Sequence, residues 1–172
     1  MWLKDVIKFT HFYRSKSLQE GIDMASLVRD LIEILEEETG CYKLLLTVAD
    51  NKKDVIIKGD MPSLQALTKD EQEMAGLLLR LEKNRAKLIE DIALVTNQSN
   101  EAMTVHKLIE LLHGQEEQSE LQAVSQALMD VVLPLQIANQ QNEELLRQSL
   151  EFVDFTMNAI QSSRQPVVTN NY

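Results

Sequence analysis

The sequence predicts an all-α fold: an extended antiparallel helical bundle built on a coiled-coil hairpin, with a long kinked C-terminal helix. Three observations carry that expectation. Among 172 residues only 5 are Gly and 3 are Pro, which leaves little material for the turns of a sheet. Leu, Glu, Gln, Lys and Ala dominate, and these side chains give up least on entering a helix. From Met24 onward, apolar residues recur in alternating steps of three and four, the spacing that lines one side of a helix.

The first long helix is expected from about Met24 to Lys58. Leu27, Leu31, Ile34, Glu38, Cys41, Leu45, Val48, Lys52 and Val55 form its stripe, widened by Leu35, Tyr42, Ala49 and Ile56. Its length is roughly 50 Å at 1.5 Å per residue, and Gly40 in its middle weakens it by about 1 kcal/mol relative to Ala and invites a bend. Gly59-Asp60-Met61-Pro62 then supplies a glycine for a left-handed stop, an aspartate to cap, and a proline tolerated in a first turn. The chain reverses there. Leu64, Leu67, Glu71, Met74, Leu78, Leu81, Arg85, Leu88, Ile92 and Val95 give a second stripe of matched length, so an antiparallel hairpin follows. Thr68 with Glu71 also matches a capping box and offers a later start. The run Glu36-Glu37-Glu38, with Glu82 and Arg85, is expected on solvated faces or in pairs along one helix.

Thr96-Asn97-Gln98-Ser99-Asn100 is polar and reads as a linker. A short helix follows on Val105, Leu108, Ile109 and Leu112, capped by Thr104 and ended by Gly114. Ser119 and Gln122 match a capping box that opens the last helix, expected to end near Ser162, with Pro134 inside it as the source of a kink. The first half of this helix carries Leu121, Val124, Leu128, Val131 and Leu135 on one side. Continued, the same register meets Asn142, Ser149 and Thr156, which are polar. From Leu146 the strong apolar positions are Leu146, Leu150, Val153, Met157 and Ile160, displaced by one residue, or about 100° around the helix, with Phe152 and Phe155 widening the new side. Two outcomes fit: a bend at Pro134 that buries both sides in one bundle, or a surface that receives a helix from a partner.

Charge and chemistry narrow the function. A formal charge of −10, from 27 acidic against 17 basic residues, repels phosphate backbones and anionic headgroups, which argues against nucleic acid and membrane surfaces. No run of about 18 apolar residues is present, so membrane insertion is not expected. Cys41 is the single cysteine and cannot form a disulfide within the chain, which fits a cytoplasmic location and a buried small hydrophobe. Glycine-rich phosphate loops, zinc-binding HExxH and paired CxxC are all missing, so no cofactor is implied. Glu110 and His113, with His106 one turn earlier, form one Glu-x-x-His unit, whereas a di-iron bundle needs two such units and two further glutamates. No metal site is assigned on that basis. Cys41 lies on the apolar stripe with no histidine nearby in sequence, so no catalytic residue is assigned either.

Residues 1–23 differ in character. They hold Trp2, Phe9, Phe12 and Tyr13 interleaved with Lys4, Lys8, Arg14 and Lys16, and Lys4, Asp5 and Lys8 break any signal-peptide core. Gln19-Glu20-Gly21 is a stretch whose codons can spell a ribosome-binding site ahead of Met24, so the expected native start is Met24 and residues 1–23 a leader. An amphipathic helix from about Trp2 to Arg14, packed on the body, is the alternative. Residues 24–164 are expected as a single helical domain and residues 165–172 as a flexible polar tail.

From Met24 onward the chain resembles the FlgN-type flagellar export chaperones. The resemblance is carried by Leu31-Ile32-Glu33-Ile34-Leu35-Glu36-Glu37-Glu38, Tyr42-Lys43-Leu44-Leu45-Leu46 and Gly59-Asp60-Met61-Pro62-Ser63-Leu64. It continues through Glu71-Gln72-Glu73 and Leu81-Glu82-Lys83-Asn84-Arg85, and then through Asn142-Glu143-Glu144-Leu145-Leu146 with Leu150-Glu151-Phe152-Val153. Each motif alone is ordinary amphipathic helix; their order and spacing over nearly the whole chain carry the likeness. The resemblance implies a cytoplasmic protein, not an enzyme, that binds the C-terminal helical segment of flagellar hook-associated (hook–filament junction) proteins through its own C-terminal region. It implies further that such a protein prevents their premature assembly and delivers them to the flagellar type III export apparatus. By position, the partner-binding residues are Leu146, Leu150, Phe152, Val153, Phe155, Met157 and Ile160. A self-associating coiled-coil scaffold, such as a homodimer built through the same stripe, is the alternative in a different class.

Overall fold

The computed structural model describes residues 24–163, and the expectations placed on residues 1–23 and 165–172 lie outside them. The chain runs through α1 (Met24–Lys58), α2 (Met61–Val95), a 3-10 turn (Asn100–Ala102), α3 (Val105–Leu111) and α4 (Glu116–Ser163), with no strand among the described residues. The two hairpin helices, α1 and α2, begin and end where the sequence places them.

Local chemistry sets the ends. Gly59 sits at φ +67°, in the left-handed region. Its N–H donates to the Ile56 carbonyl and that of Asp60 to the Val55 carbonyl, both at 3.1 Å, so the last carbonyls of α1 are satisfied before the chain turns. Asp60 then opens α2: Oδ1 accepts from the Ser63 N–H at 3.2 Å and Oδ2 from the Ser63 hydroxyl at 2.6 Å. Those bonds, the hydroxyl first, hold the Asp60 carboxyl below its ordinary value. The later start at Thr68 is not used, because its hydroxyl donates to the Leu64 carbonyl within the helix. Asn97 repeats the glycine motif at the end of α2: it lies at φ 54°, and Asn97 and Gln98 donate to Leu94 and Ala93.

Thr104 caps α3 by accepting from the Lys107 N–H at 3.1 Å, and Gly114 follows at φ +82°. α4 starts at Glu116, three residues before the capping box on Ser119. The side chain of Gln118 explains the difference: Oε1 accepts from the Gly114 N–H and Nε2 donates to the Ile109 carbonyl, each at 3.1 Å. The Ser119 hydroxyl instead donates to the Glu116 carbonyl. α4 continues without interruption through Pro134. Pro134 and Asp130 are both exposed, so the carbonyl that loses its helical donor has water to bond.

The residues fall into two compact units, each sharing the long helices. One comprises residues 24–35 of α1, 82–95 of α2, the 3-10 turn, α3 and the start of α4. Its core is Leu27, Val28, Leu31, Leu35, Ile92, Met103, Leu108, Leu112 and Leu121, all nearly inaccessible, and Arg29 reaches Glu117 at 3.8 Å on its surface.

The other unit comprises residues 36–58 of α1, 61–81 of α2 and 126–163 of α4. Cys41, Leu45 and Ala49 of α1, Leu78 and Leu81 of α2 and Leu135 of α4 form its core, with Tyr42, Met74, Leu77 and Ala138 packed around it. Burial, and then the charges of Glu37 and Glu38, push the Cys41 thiol pKa up, so it stays a protonated hydrophobe. Polar residues also enter this unit. Lys52 and Glu71, stripe positions on the facing helices, meet at 2.8 Å as a half-buried pair. Glu38, a stripe position, is 1% exposed, so of the solvated faces or helical pairs expected for the glutamate run only Glu36 and Glu37 are exposed.

Three measurements test these elements. Gly40 is exposed and helical, and an added Cβ meets nothing within 4 Å. Gly40→Ala is therefore expected to stabilise the chain by about 1 kcal/mol, read as a higher urea midpoint with an unchanged slope. The Asp60 carboxyl has a lowered folded value, so its stabilising contribution is present above the unfolded value of about 3.9 and is lost as pH falls through the folded value. The stability difference between wild type and Asp60→Ala should accordingly shrink below about pH 4. Asn142 is 3% exposed, and its Oδ1 has no hydrogen-bond partner among the described residues. Asn142→Leu removes that orphaned acceptor and is expected to stabilise by about 1 kcal/mol; a loss would show that the bond made by its Nδ2 outweighs the orphan.

Candidate partner-binding surface

α4 is held by its first two-thirds. Leu121 and Val124 are buried in one unit and Val131 and Leu135 in the other, as their spacing predicts. The seam then continues one heptad further than an apolar count suggests. Asn142 is buried, and its Nδ2 donates to the Ala49 carbonyl of α1 at 2.7 Å. A polar residue at such a seam position fixes register at some cost in stability. It is also the last fully buried residue of α4: Leu145 and Leu146 are half-buried, and from Arg147 to Ser163 every residue except Thr156 is exposed.

The displaced stripe therefore lies in the open. Leu150 is 66% exposed, Phe152 70%, Val153 54%, Phe155 72%, Met157 53% and Ile160 44%. The alternative in which a bend buries both sides in one bundle does not occur. The physical origin of the displacement is visible in the spacing. After Ala138 come three consecutive steps of four, to Asn142, Leu146 and Leu150, an interruption that unwinds a heptad seam. A strict seven-residue repeat lags a straight helix by about 20° per heptad. Over the five heptads from Leu121 to Thr156 the lag is about 100°, or one residue. The second stripe thus stands where the first would stand on a helix that does not supercoil.

At about 100° per residue, the end of α4 divides into two sectors. Phe155, Ala159, Phe152, Ile160, Val153, Leu146, Met157 and Leu150 fall, in that angular order, within an arc of about 220°, in which Gln148 lies near Phe155, and Thr156 and Ser149 stand between Phe152 and Ile160. Asp154, Arg147, Asn158, Glu151 and Glu144 share the remainder. Arg147 bonds Glu144 through both Nε (3.0 Å) and Nη2 (2.6 Å), and also bonds Glu151. Its hydrogen bond holds the Glu144 carboxyl below its ordinary value, and Glu144 in turn raises Arg147. In the polar sector Arg147 is paired with Glu144 and Glu151, and in the apolar sector the large apolar side chains beyond Leu146 are exposed among the described residues.

Other exposed apolar side chains on α4 are Met129, Leu133 and Ile137, outside the sequence-derived set. Their spacing of four residues on the side opposite the buried stripe is the signal that marks them. One 18-residue window of α4 has a mean hydropathy of 1.3 and is 22% buried, so by length and composition alone this helix reaches the range of a membrane span, although no unbroken apolar run is present. The Glu110–His113 unit gathers no metal set: Lys107 bonds Glu110 at 2.9 Å, His106 lies 3.5 Å from it, and all are at the surface. The Lys107 bond lowers the Glu110 carboxyl pKa. No group of three or more His, Cys, Asp or Glu residues suited to a metal ion occurs among the described residues.

The FlgN protein family model matches residues 24–172, the stretch that begins at Met24 and contains the hairpin, α3 and the exposed end of α4. No curated protein and no solved structure matches the chain. With most of its length under the family model and an all-helical fold, the chain belongs to the FlgN family, a family of flagellar export chaperones.

Proposed function

We propose that the chain is a cytoplasmic export chaperone whose α4 holds the C-terminal helical segment of a flagellar hook-associated protein. Covering that segment keeps the partner from assembling early, and the complex delivers it to the flagellar type III export apparatus. The partner-binding residues in this reading are Leu146, Leu150, Phe152, Val153, Phe155, Met157 and Ile160. The observation that carries it is the exposure of the last 17 residues of α4, where six large apolar side chains stand between 44% and 72% accessible. A patch of that kind concentrated at one helix end marks an interaction surface, and an amphipathic helix recognises another helix by laying apolar sides together. Family membership supplies the class of partner.

The same exposure favours a second reading, a self-associating scaffold in which two copies pair through this stripe. A pull-down separates the two. Bait carrying Leu150→Asp, Val153→Asp and Met157→Asp is compared with wild type against the hook-associated proteins of the same genome. Since all three side chains are exposed, folding and melting temperature should be unchanged. Binding of a hook-associated protein should fall by tenfold or more. Recovery of no such protein, or of further copies of the chain alone, would replace the chaperone assignment with the scaffold.

A further inference from the structure

We infer that the end of α4 is clasped by two partner helices at once, both with basic margins, rather than by one. The inference rests on the chaperone reading and deepens it. One helix packed against another typically covers an apolar stripe on the order of 100° wide. The apolar side chains here span about 220°, with Ser149 and Thr156 separating the Phe155–Phe152 side from the Ile160–Leu150 side, and past Leu146 every described residue except the half-buried Thr156 is exposed. A single helix seated on Leu150, Val153 and Met157 leaves Phe155, some 160° away from Val153, in water. Phe152 and Phe155 are also the most exposed large apolar side chains of the segment, at 70% and 72%, and aromatic rings are the largest contributors of area to helical interfaces. A second helix on the Phe152–Phe155 side completes the cover. From Leu146 to Ile160 the surface is about 21 Å long, so each partner helix contributes about four turns.

Charge selects the occupant. Glu143 and Asp154 border the Leu150 edge of the arc, and Glu144 and Glu151 the polar sector beyond it, against Arg147 as the one basic residue among the described residues of this stretch, which is already engaged by Glu144 and Glu151. A second copy of the chain, itself carrying a formal charge of −10, would set these carboxylates against one another. Helices edged with Lys or Arg would satisfy them.

The test places a photo-crosslinking benzoyl-phenylalanine at Val153 or at Phe155 of the full chain, mixed with the full-length hook–filament junction protein of the same genome. Both positions are expected to give adducts, mapping to two separate helical segments of the junction protein. In the same complex, Glu143→Lys with Asp154→Lys should weaken binding at least tenfold at low salt, and less at high salt. Adducts from both positions that map to one segment, or adducts from Val153 alone, would overturn the two-helix clasp while leaving the chaperone reading intact. Unchanged or tighter binding by the charge-reversed chain would overturn the basic margins. Absence of any complex, or adducts only between copies of the chain, would remove the chaperone reading and this inference with it.

Discussion

A helix is stable in water only while its apolar side is covered, and α4 is longer than the surface available to cover it. That mismatch governs one end of the molecule. Leu135 packs among Cys41, Leu45, Leu78 and Leu81, and the seam closes one heptad later where the Asn142 side chain reaches the Ala49 carbonyl. Beyond it the sequence changes step, and the apolar stripe leaves the seam just as the bundle stops supplying neighbours. Had the heptad continued in Leu at Ser149 and Thr156, the stripe would have stayed in the seam; the polar residues there release it.

The polar residues admitted to the interior fit the same account. Lys52 and Glu71 occupy positions where two leucines would pack more cheaply, and their 2.8 Å contact is half-buried. A paired charge of this kind adds little net stability. It does penalise every other register of two long, repetitive helices, because a slip would bury one partner alone. Asn142 acts similarly with a stronger bias, since its Oδ1 is left without a partner among the described residues even in the native register. The unit that contains residues 126–163 of α4 therefore has the registry of a specific fold and part of its stability withheld.

Much of the fold is legible in the sequence because it is decided locally. Gly59 and Asp60 end one helix and start the next through bonds within five residues of themselves, and Thr104 and Gly114 bracket α3 in the same way. The apolar spacing fixes which sides of α1 and α2 are buried, down to Leu31, Ala49, Leu81 and Ile92. What escapes is set by tertiary contact. The start of α4 depends on Gln118 reaching back to Ile109, which no capping pattern encodes. The burial of Glu38 and Asn142 depends on what surrounds them, and residue type alone places both outside. The candidate surface is legible as a displaced stripe; its exposure is not, because a sequence does not say where a bundle ends.

Hydrogen exchange along α4 tests the central claim most directly. In the free chain, amides of residues 147–163 should exchange far faster than those of residues 121–142, and adding a hook-associated protein of the same genome should slow them selectively. Equal protection of both stretches in the free chain, or no slowing of residues 147–163 in the complex, would contradict an uncovered end of α4 that waits for a partner.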